Sequence, residues 1–256
     1  MKQSQFYYLL RRGLLKSMSV VREGLVMFNK FTTAGISHPA QGSAEFDGAS
    51  DYIDTGAQLI STNHTIQAWV YRDSSGTNDV NYVLAMRDAA NDGLLVFSRS
   101  NTSISIKFDA QTEIQYTSFT SDEWHHIAST YDGTTEKFYF NGSVVGTGTF
   151  SDTLSVTADT IIGRDSGSGT SNFWDGNLAN VAIWNRALSS DEINSVMWKP
   201  YQALTTNEQS GLQAWYSLDD ISSPSASLAT MEALAVDKDA TIENKAAITA
   251  AINALS

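Results

Sequence analysis

An all-β fold, an antiparallel jelly-roll β-sandwich with short helical arms at its N- and C-terminal ends, is predicted by three observations. Residues 124–146 read WHHIASTYDGTTEKFYFNGSVVG, two alternating runs joined at Asp132-Gly133 and closed by Asn141-Gly142. Asp-Gly and Asn-Gly both tolerate the positive φ that tight hairpin turns require. Short runs of this kind recur along the chain with Gly, Asn or Asp between them, the spacing of a sandwich and not of alternating strands and helices. Composition agrees: only 17% of the 256 residues are charged, while Gly, Ser, Thr and Asn are abundant, as on an all-β surface.

In chain order, Phe6, Leu10, Leu14 and Val21 recur on one helical face, which predicts a helix over residues 4–20 that Gly13 weakens. Residues 24–28, GLVMF, resemble residues 211–216, GLQAWY. The two are expected to be the first and last strands of the sandwich and neighbours in one sheet. Between them, strands are predicted at 44–46, 52–55, 65–72, 81–87, 94–98, 103–108, 114–119, 124–131, 137–141, 143–147, 160–163 and 177–184. Ser189 with Glu192 forms a capping box for a short helix to about residue 198, where Pro200 stops it. Residues 222–225 read as a linker. The Ala-rich segment 227–256 places Ile248, Ile252 and Leu255 on one helical face and should need a partner surface to stay folded. The chain thus divides into a basic helical arm (1–23), a sandwich (24–221) and a linker with a helical tail (222–256), and Trp69, Trp124, Phe138, Phe140 and Ile183 are expected in the core.

Cysteine is absent, so there is neither a disulfide framework nor a thiolate metal site. The net charge of −12 is unevenly placed. Lys2, Arg11, Arg12, Lys16, Arg22 and Lys30 against Glu23 make residues 1–30 a +5 segment on a −17 body. Such an arm suits its own acidic sandwich or an acidic neighbouring subunit, whereas the body repels nucleic acid. Arg11-Arg12-Gly13-Leu14-Leu15-Lys16 resembles a twin-arginine export motif, but Arg22 and Glu23 interrupt the apolar run that should follow, so export is not expected. No run approaches the roughly 20 apolar residues of a membrane span.

Three blocks carry a family resemblance. The Trp-His-His strand, Tyr-Asp-Gly turn and Asn-Gly closure of residues 124–142 are one. AEFDGASDYIDTG (44–56) followed by HTIQAWVYRD (64–73) is the second, and IIGRD (161–165) with WDGNLANVAIWNRALSSDEI (174–193) is the third. Together they resemble the laminin G-like, concanavalin A-like sandwich family over roughly residues 44–198. One feature departs from the family pattern: Leu178 is followed by Ala179 and Asn180 where an acid usually stands. The resemblance implies a fold that hosts lectins, adhesion modules, hydrolases and passive structural domains.

His125 and His126 occupy adjacent strand positions and should point to opposite faces, which suits packing and hydrogen bonding and not joint metal ligation. The Glu-x-Asp-x-x-Glu spacing that glycoside hydrolases of this fold use is missing, as is a serine nucleophile elbow. Asp122-Glu123 read as a solvated turn. Oxygen ligands do cluster in loops: Asp88, Asn91 and Asp92; Asp73, Asn78 and Asp79; and Asp165 with Asn172. Asp88, Asn91, Asp92, Asp165 and Asn172 are the candidate ligand-binding residues, for a glycan or for calcium, which favours such oxygens. No catalytic residue, resident metal or cofactor is assigned. Trp69, Trp124, Trp174 and Trp184 could stack sugars, but their strand positions favour the core.

These readings converge on a non-enzymatic, lectin-like virion structural protein, a tail, fibre or capsid-surface subunit of a bacteriophage. It would be made in the host cytoplasm, joined to other virion subunits through its arms as a homo-oligomer, and able to bind host-surface glycans. An exported bacterial carbohydrate-binding or adhesion module is the alternative, and a glycoside hydrolase the third reading.

Overall fold

The computed structural model describes residues 42–76, 80–88, 93–108, 113–149, 154, 158–167 and 172–218, together with the backbone of two short strands nearer the N-terminus. Those strands, β1 (Val20–Arg22) and β2 (Leu25–Met27), pair antiparallel in a ribbon of their own, Val20 opposite Met27. They belong to a unit, Met1–Ser37, separate from the one that starts at His38. The expected pairing of 24–28 with 211–216 is therefore corrected. A two-residue connection closes β1 on β2 at little entropic cost, whereas the expected pairing would close a loop spanning most of the chain. Apart from Val20, the helix predicted over 4–20 lies outside the described residues, as do the linker 222–225 and the tail 227–256.

The second unit is the predicted sandwich. Among the described residues, one sheet has seven strands, in the order from its exposed edge β12 (Ser143–Thr149), β11 (Thr135–Phe140), β10 (Trp124–Tyr131), β5 (His64–Arg72), β14 (Asp175–Trp184) and β15 (Leu212–Tyr216), with β3 (Ala44–Asp47) also on β14. The other has six, in the order β4 (Ile53–Asp54), β13 (Ile161–Ile162), β6 (Asn81–Arg87), β7 (Gly93–Ser100), β8 (Ser103–Phe108) and β9 (Ile114–Tyr116). All pairings are antiparallel.

Alternation decides what fills the space between the sheets. Ile66, Ala68 and Val70 of β5, Ile127 and Tyr131 of β10 and Phe138 of β11 face Leu84, Val96, Ile104 and Ile106 of the second sheet. In β14 the register shifts between Ala179 and Ala182, where Asn180 takes a left-handed φ of 48°. This bulge keeps Leu178, Val181 and Ile183 all inside.

The seven-stranded sheet is also covered on its other face. Helix α1 (Ser190–Val196) carries the predicted capping box: the Ser189 hydroxyl accepts from the Glu192 amide at 3.2 Å and the Glu192 carboxylate accepts from the Ser189 amide at 2.8 Å. Its buried Ile193 and Val196 pack with Leu188, Leu204, Trp184 and Trp215 on Ala128, Tyr139 and Ala182. The short helix α2 (Thr206–Gln209) repeats the box with Thr205 and Glu208. Being buried on both faces makes β5 an almost unbroken run of buried residues.

The core expectation holds for Trp69, Phe138, Phe140 and Ile183. Trp124 is corrected: it is only half-buried, on the outer face, at the margin of a small cluster of Trp69, Ala179 and Met197. The cover laid down by α1 ends at Met197 and Trp198, one sheet row short of it.

Candidate functional site

Where the helical cover stops, four strands present one continuous outer surface. Trp124 of β10 lies opposite Tyr71 of β5, Tyr71 opposite Asn177 of β14, and Asn177 opposite Glu45 of β3. The Tyr71 and Trp124 rings are 5.7 Å apart and inclined at 56°. In the row beneath the cover, Trp69 donates its indole N–H to the Met197 carbonyl at 2.8 Å and packs its ring 5.3 Å from that of Trp198. Trp198 is left 46% exposed. The result is an aromatic ledge of Trp198, Trp124 and Tyr71 anchored on a buried tryptophan.

Beside the ledge, two residues further along each strand, runs a line of aspartates. Asp175 lies opposite Asp47, the Asp73 amide donates to the Asp175 carbonyl at 3.0 Å, and the Asp122 amide donates to the Arg72 carbonyl at 2.8 Å. Asp122, Asp73, Asp175 and Asp47 therefore follow one another across β10, β5, β14 and β3. Three of them are held by turns at the strand ends. Asp47 accepts from the amides of Ala49, Ser50 and Asp51 at 2.9, 2.7 and 3.0 Å and titrates at about 2, its hydrogen bonds outweighing partial burial. Asp73 accepts from the Ser75 amide at 2.8 Å, and Asp122 accepts from Ser74, whose hydroxyl and then amide (2.9 Å) lower the Asp122 pKa. Asp175 differs. Partial burial, then the charges of Asp73 and Asp47, raise its pKa against the pull of Arg72. Its carboxylate nests against Gly48 and Gly76, where an added Cβ would come within 2.8 and 2.6 Å of it. Burial, Asp122 and Asp73 likewise raise the Tyr71 phenol, so it stays a hydrogen-bond donor.

Such a surface offers flat apolar faces next to carboxylate and amide acceptors. Rings with C–H bonds on their faces and hydroxyls on their edges fit that chemistry.

The residues singled out from sequence lie elsewhere. Asp88 is exposed at the end of β6, and Asn91 and Asp92 fall outside the described residues, as do Asn78 and Asp79. Asp165 is buried, and its carboxylate is gripped by the Arg87 guanidinium, Nε donating at 2.7 Å and Nη2 to the other oxygen, with the Gly167 amide donating at 3.0 Å. That pairing raises the Arg87 pKa. Asn172, at a left-handed φ of 64°, accepts from the Tyr82 amide through its carbonyl at 3.2 Å. Asp165 is thus tied to the end of β6 and Asn172 to its start. Among the described residues, no three His, Cys, Asp or Glu side chains converge to hold a metal ion.

The histidine pair divides as alternation requires. His125 points inward, its Nε2 3.0 Å from the Thr120 carbonyl and its ring 4.7 Å from Phe140. His126 points outward beneath the cover, 5.5 Å from Trp69, and burial lowers it to about 3. Neither ring reaches the ledge acids through a hydrogen bond that could make an acid–base couple. Asp73, Asp122 and Trp124 were visible as sequence features, but Tyr71, Asp175 and Trp198 were not singled out. The signal that could have found them is outward alternation in 69–73 and 122–126, read together with the apolar Met197-Trp198 after the helix.

The family model described as the concanavalin A-like lectin/glucanases superfamily matches residues 47–194. No curated protein matches the chain. Among solved structures, a protein of Bacteroides ovatus ATCC 8483, assigned to carbohydrate binding by inference, is similar with a TM-score of 0.58 at 17% identity, over 72% of this chain and 53% of that one. This chain therefore spans about half the length of that protein. The CBM40 module of the Ruminococcus gnavus IT-sialidase, bound to α2,3-sialyllactose, is similar with a TM-score of 0.51 at 12% identity, over 61% of this chain and 97% of that one. At these identities the likeness is one of fold.

Proposed function

The chain belongs to the concanavalin A-like lectin/glucanases superfamily, and from that premise we propose that it is a non-catalytic, lectin-like module that binds glycans on the outer face of its seven-stranded sheet. The observation that carries the reading is the aromatic ledge of Trp198, Trp124 and Tyr71 beside the aspartate line. Sugar rings stack on the exposed aromatic faces, and their hydroxyls donate to Asp175, Asp73 and Asn177. The carbohydrate-binding descriptions of the two structural neighbours support the same ligand class. The non-catalytic part rests on the carboxyls. Hydrolases of this fold carry their acid and second carboxylate as Glu-x-Asp-x-x-Glu on one strand, a spacing missing from this sequence. The ledge carboxyl with a raised pKa, Asp175, comes from a different strand from its acidic neighbours Asp73 and Asp47.

A glycan array followed by calorimetry on the full chain tests this. Trp198→Ala and Trp124→Ala should each weaken binding of the selected glycan at least tenfold. Binding unchanged by both substitutions would overturn the ledge, and reducing-end release from the glycan would overturn the non-catalytic reading.

Display of this module on a bacteriophage particle, with the chain ends joining it to neighbouring subunits, is part of the proposal; charge supports only the docking of subunits. Residues 1–30 carry +5 and the remainder −17, a complementarity that suits a basic segment of one subunit and an acidic body of the next. Labelled antibodies against the chain should decorate intact particles in electron microscopy, and their failure to do so would contradict it.

A further inference from the structure

Strand β5 ends at the aspartate line; at its beginning, by His64, lies a second concavity of different chemistry. It is an open groove of about 520 Å³ whose polar lining comes from Gln58, Ser61, Thr62, Asn63, Asn185 and Gln213, over Leu59 and the buried Ile60. That volume falls within the roughly 300–1,000 Å³ of small-ligand sites. Among the described residues its lining contains no ionisable side chain: four carboxamides and two hydroxyls supply both donors and acceptors without charge.

Both walls are held before any ligand arrives. On one side the His64 ring, buried at the start of β5, has Nδ1 3.2 Å from the Ser61 carbonyl and 3.0 Å from that of Thr62, so its N–H fixes the 61–63 segment. The Ser61 hydroxyl donates to the Asn63 carbonyl at 2.7 Å, and the Thr62 hydroxyl accepts from the Leu154 amide at 3.2 Å. On the other side, Thr65 Oγ1 donates to the Arg186 carbonyl at 2.7 Å and accepts from the Leu188 amide at 2.8 Å, pinning the segment that carries Asn185. The Asn185 amide donates to the Gly211 carbonyl at 2.8 Å, and Gln213 Nε2 donates to the same carbonyl at 3.1 Å. Gly211, at φ 78°, leaves the room that the Asn185 side chain occupies: an added Cβ would lie 2.6 Å from Asn185 Oδ1. Asn63 and Asn185 remain exposed. Preorganised polar walls reduce the ordering cost of binding.

We infer that this groove is a second binding site for an uncharged oligosaccharide, separate from the ledge. Carboxamides donate and accept at once, as vicinal hydroxyls do, and the small apolar floor of half-buried Leu59 suits the C–H face of a pyranose. An anionic or cationic ligand would find no counter-charge among the described residues of this lining. The inference rests on the glycan-binding reading of the chain but places a site that reading does not use.

The test is calorimetry and NMR titration of the full chain with uncharged linear oligosaccharides of glucose, galactose and mannose, at low and high salt. Two sites per chain are expected, the groove site insensitive to salt. The double variant Asn185→Ala/Gln213→Ala should lose one site, with affinity there falling at least tenfold, and Asn63→Ala should weaken the same site. Trp198→Ala should leave that site intact. Asn63, Asn185 and Trp198 are exposed and Gln213 is half-buried, and an unchanged melting midpoint verifies the fold. Unaltered stoichiometry and affinity in the double variant and in Asn63→Ala overturns the groove while leaving the ledge standing. Loss confined to the groove variants supports the groove. No binding by the unsubstituted chain to any of these sugars overturns the groove.

Discussion

His64 and Glu136 face one another inside the sandwich, Nε2 to Oε1 at 3.9 Å, both sealed from water. The His64 Nδ1–H is committed to the Ser61 and Thr62 carbonyls, so Nε2 carries the lone pair, and among the described residues it has no hydrogen-bond partner. Ser129 donates its hydroxyl to Glu136, and the Phe108 and Tyr131 rings lie 5.4 and 5.9 Å from His64. Burial pushes Glu136 up to about 8, against the Ser129 hydrogen bond, and His64 down to about 4. At neutral pH both groups are uncharged, which is how the interior tolerates them.

A pH dependence of stability follows from this pair. Glu136 titrates near 4.5 unfolded and about 8 folded. Its contribution is fully present below 4.5, falls as pH rises, and is gone once the folded value is passed. His64 is the reverse, with its contribution present above 6.5 and lost as pH falls through about 4. The two slopes oppose each other between about 4.5 and 6.5, giving a plateau there, and from 6.5 to 8 Glu136 alone costs on the order of 2 kcal/mol. Denaturant midpoints across this range should fall above pH 6.5, and Glu136→Gln should remove that fall. An identical profile in the variant would place the pH dependence in other groups.

Truncating aromatic side chains should separate the core from the ledge. Phe138 is fully buried between the sheets, so Phe138→Ala should cost about 3–5 kcal/mol. Trp124, half-buried at the margin of the Trp69 cluster, should cost roughly 1–2 kcal/mol, in proportion to the smaller apolar area it hides. Equal losses in urea unfolding would mean that Trp124 belongs to the core after all.

Gly176 joins the acidic line to the aromatic ledge, at φ 125° opposite Arg72. An added Cβ would lie 2.2 Å from the Tyr71 carbonyl oxygen and 2.9 Å from the Asp73 amide nitrogen, both backbone atoms that cannot swing away. Gly176→Ala should cost at least ~1–3 kcal/mol from backbone strain alone. It should also displace Tyr71, Asp73 and Asp175 together, so binding at the ledge should fall with stability. A variant as stable as the parent would contradict the close strand approach.

The helix caps give a smaller, separable effect. Ser189→Ala removes the acceptor for the Glu192 amide and should cost about 1 kcal/mol. Because α1 carries Met197 and Trp198 at its end, ledge binding should weaken as well. Thermal melting and calorimetry on the same variant measure the two effects, and a neutral substitution would show that packing alone holds the helix.

A chain starting at His38 should retain the sandwich, since residues 1–37 form a unit of their own. If the basic segment carries assembly, this shortened chain should be folded and monomeric where the full chain associates. Normal association without residues 1–37 would refute that role.

The strand positions, hairpin turns, Ser189–Glu192 box and opposite orientation of His125 and His126 were legible in the sequence, because each depends on spacing over a few residues. Alternation also separates Trp124 and His126 from His125 and Ile127. It does not say what is laid over each face, and only the end of the helical cover at Trp198 leaves Trp124 half-exposed while burying His126. The ledge and the aspartate line were not legible, since residues 45–47, 71–73, 122–124 and 175–177 meet only through the sheet order. Asp165 likewise became an ion-pair partner only when the fold brought Arg87 to it. Local chain chemistry therefore determined the elements and the two sides of each. Long-range strand pairing, whose hydrogen bonds are the same for any neighbour, decided which side chains share a surface and which are sealed away from it.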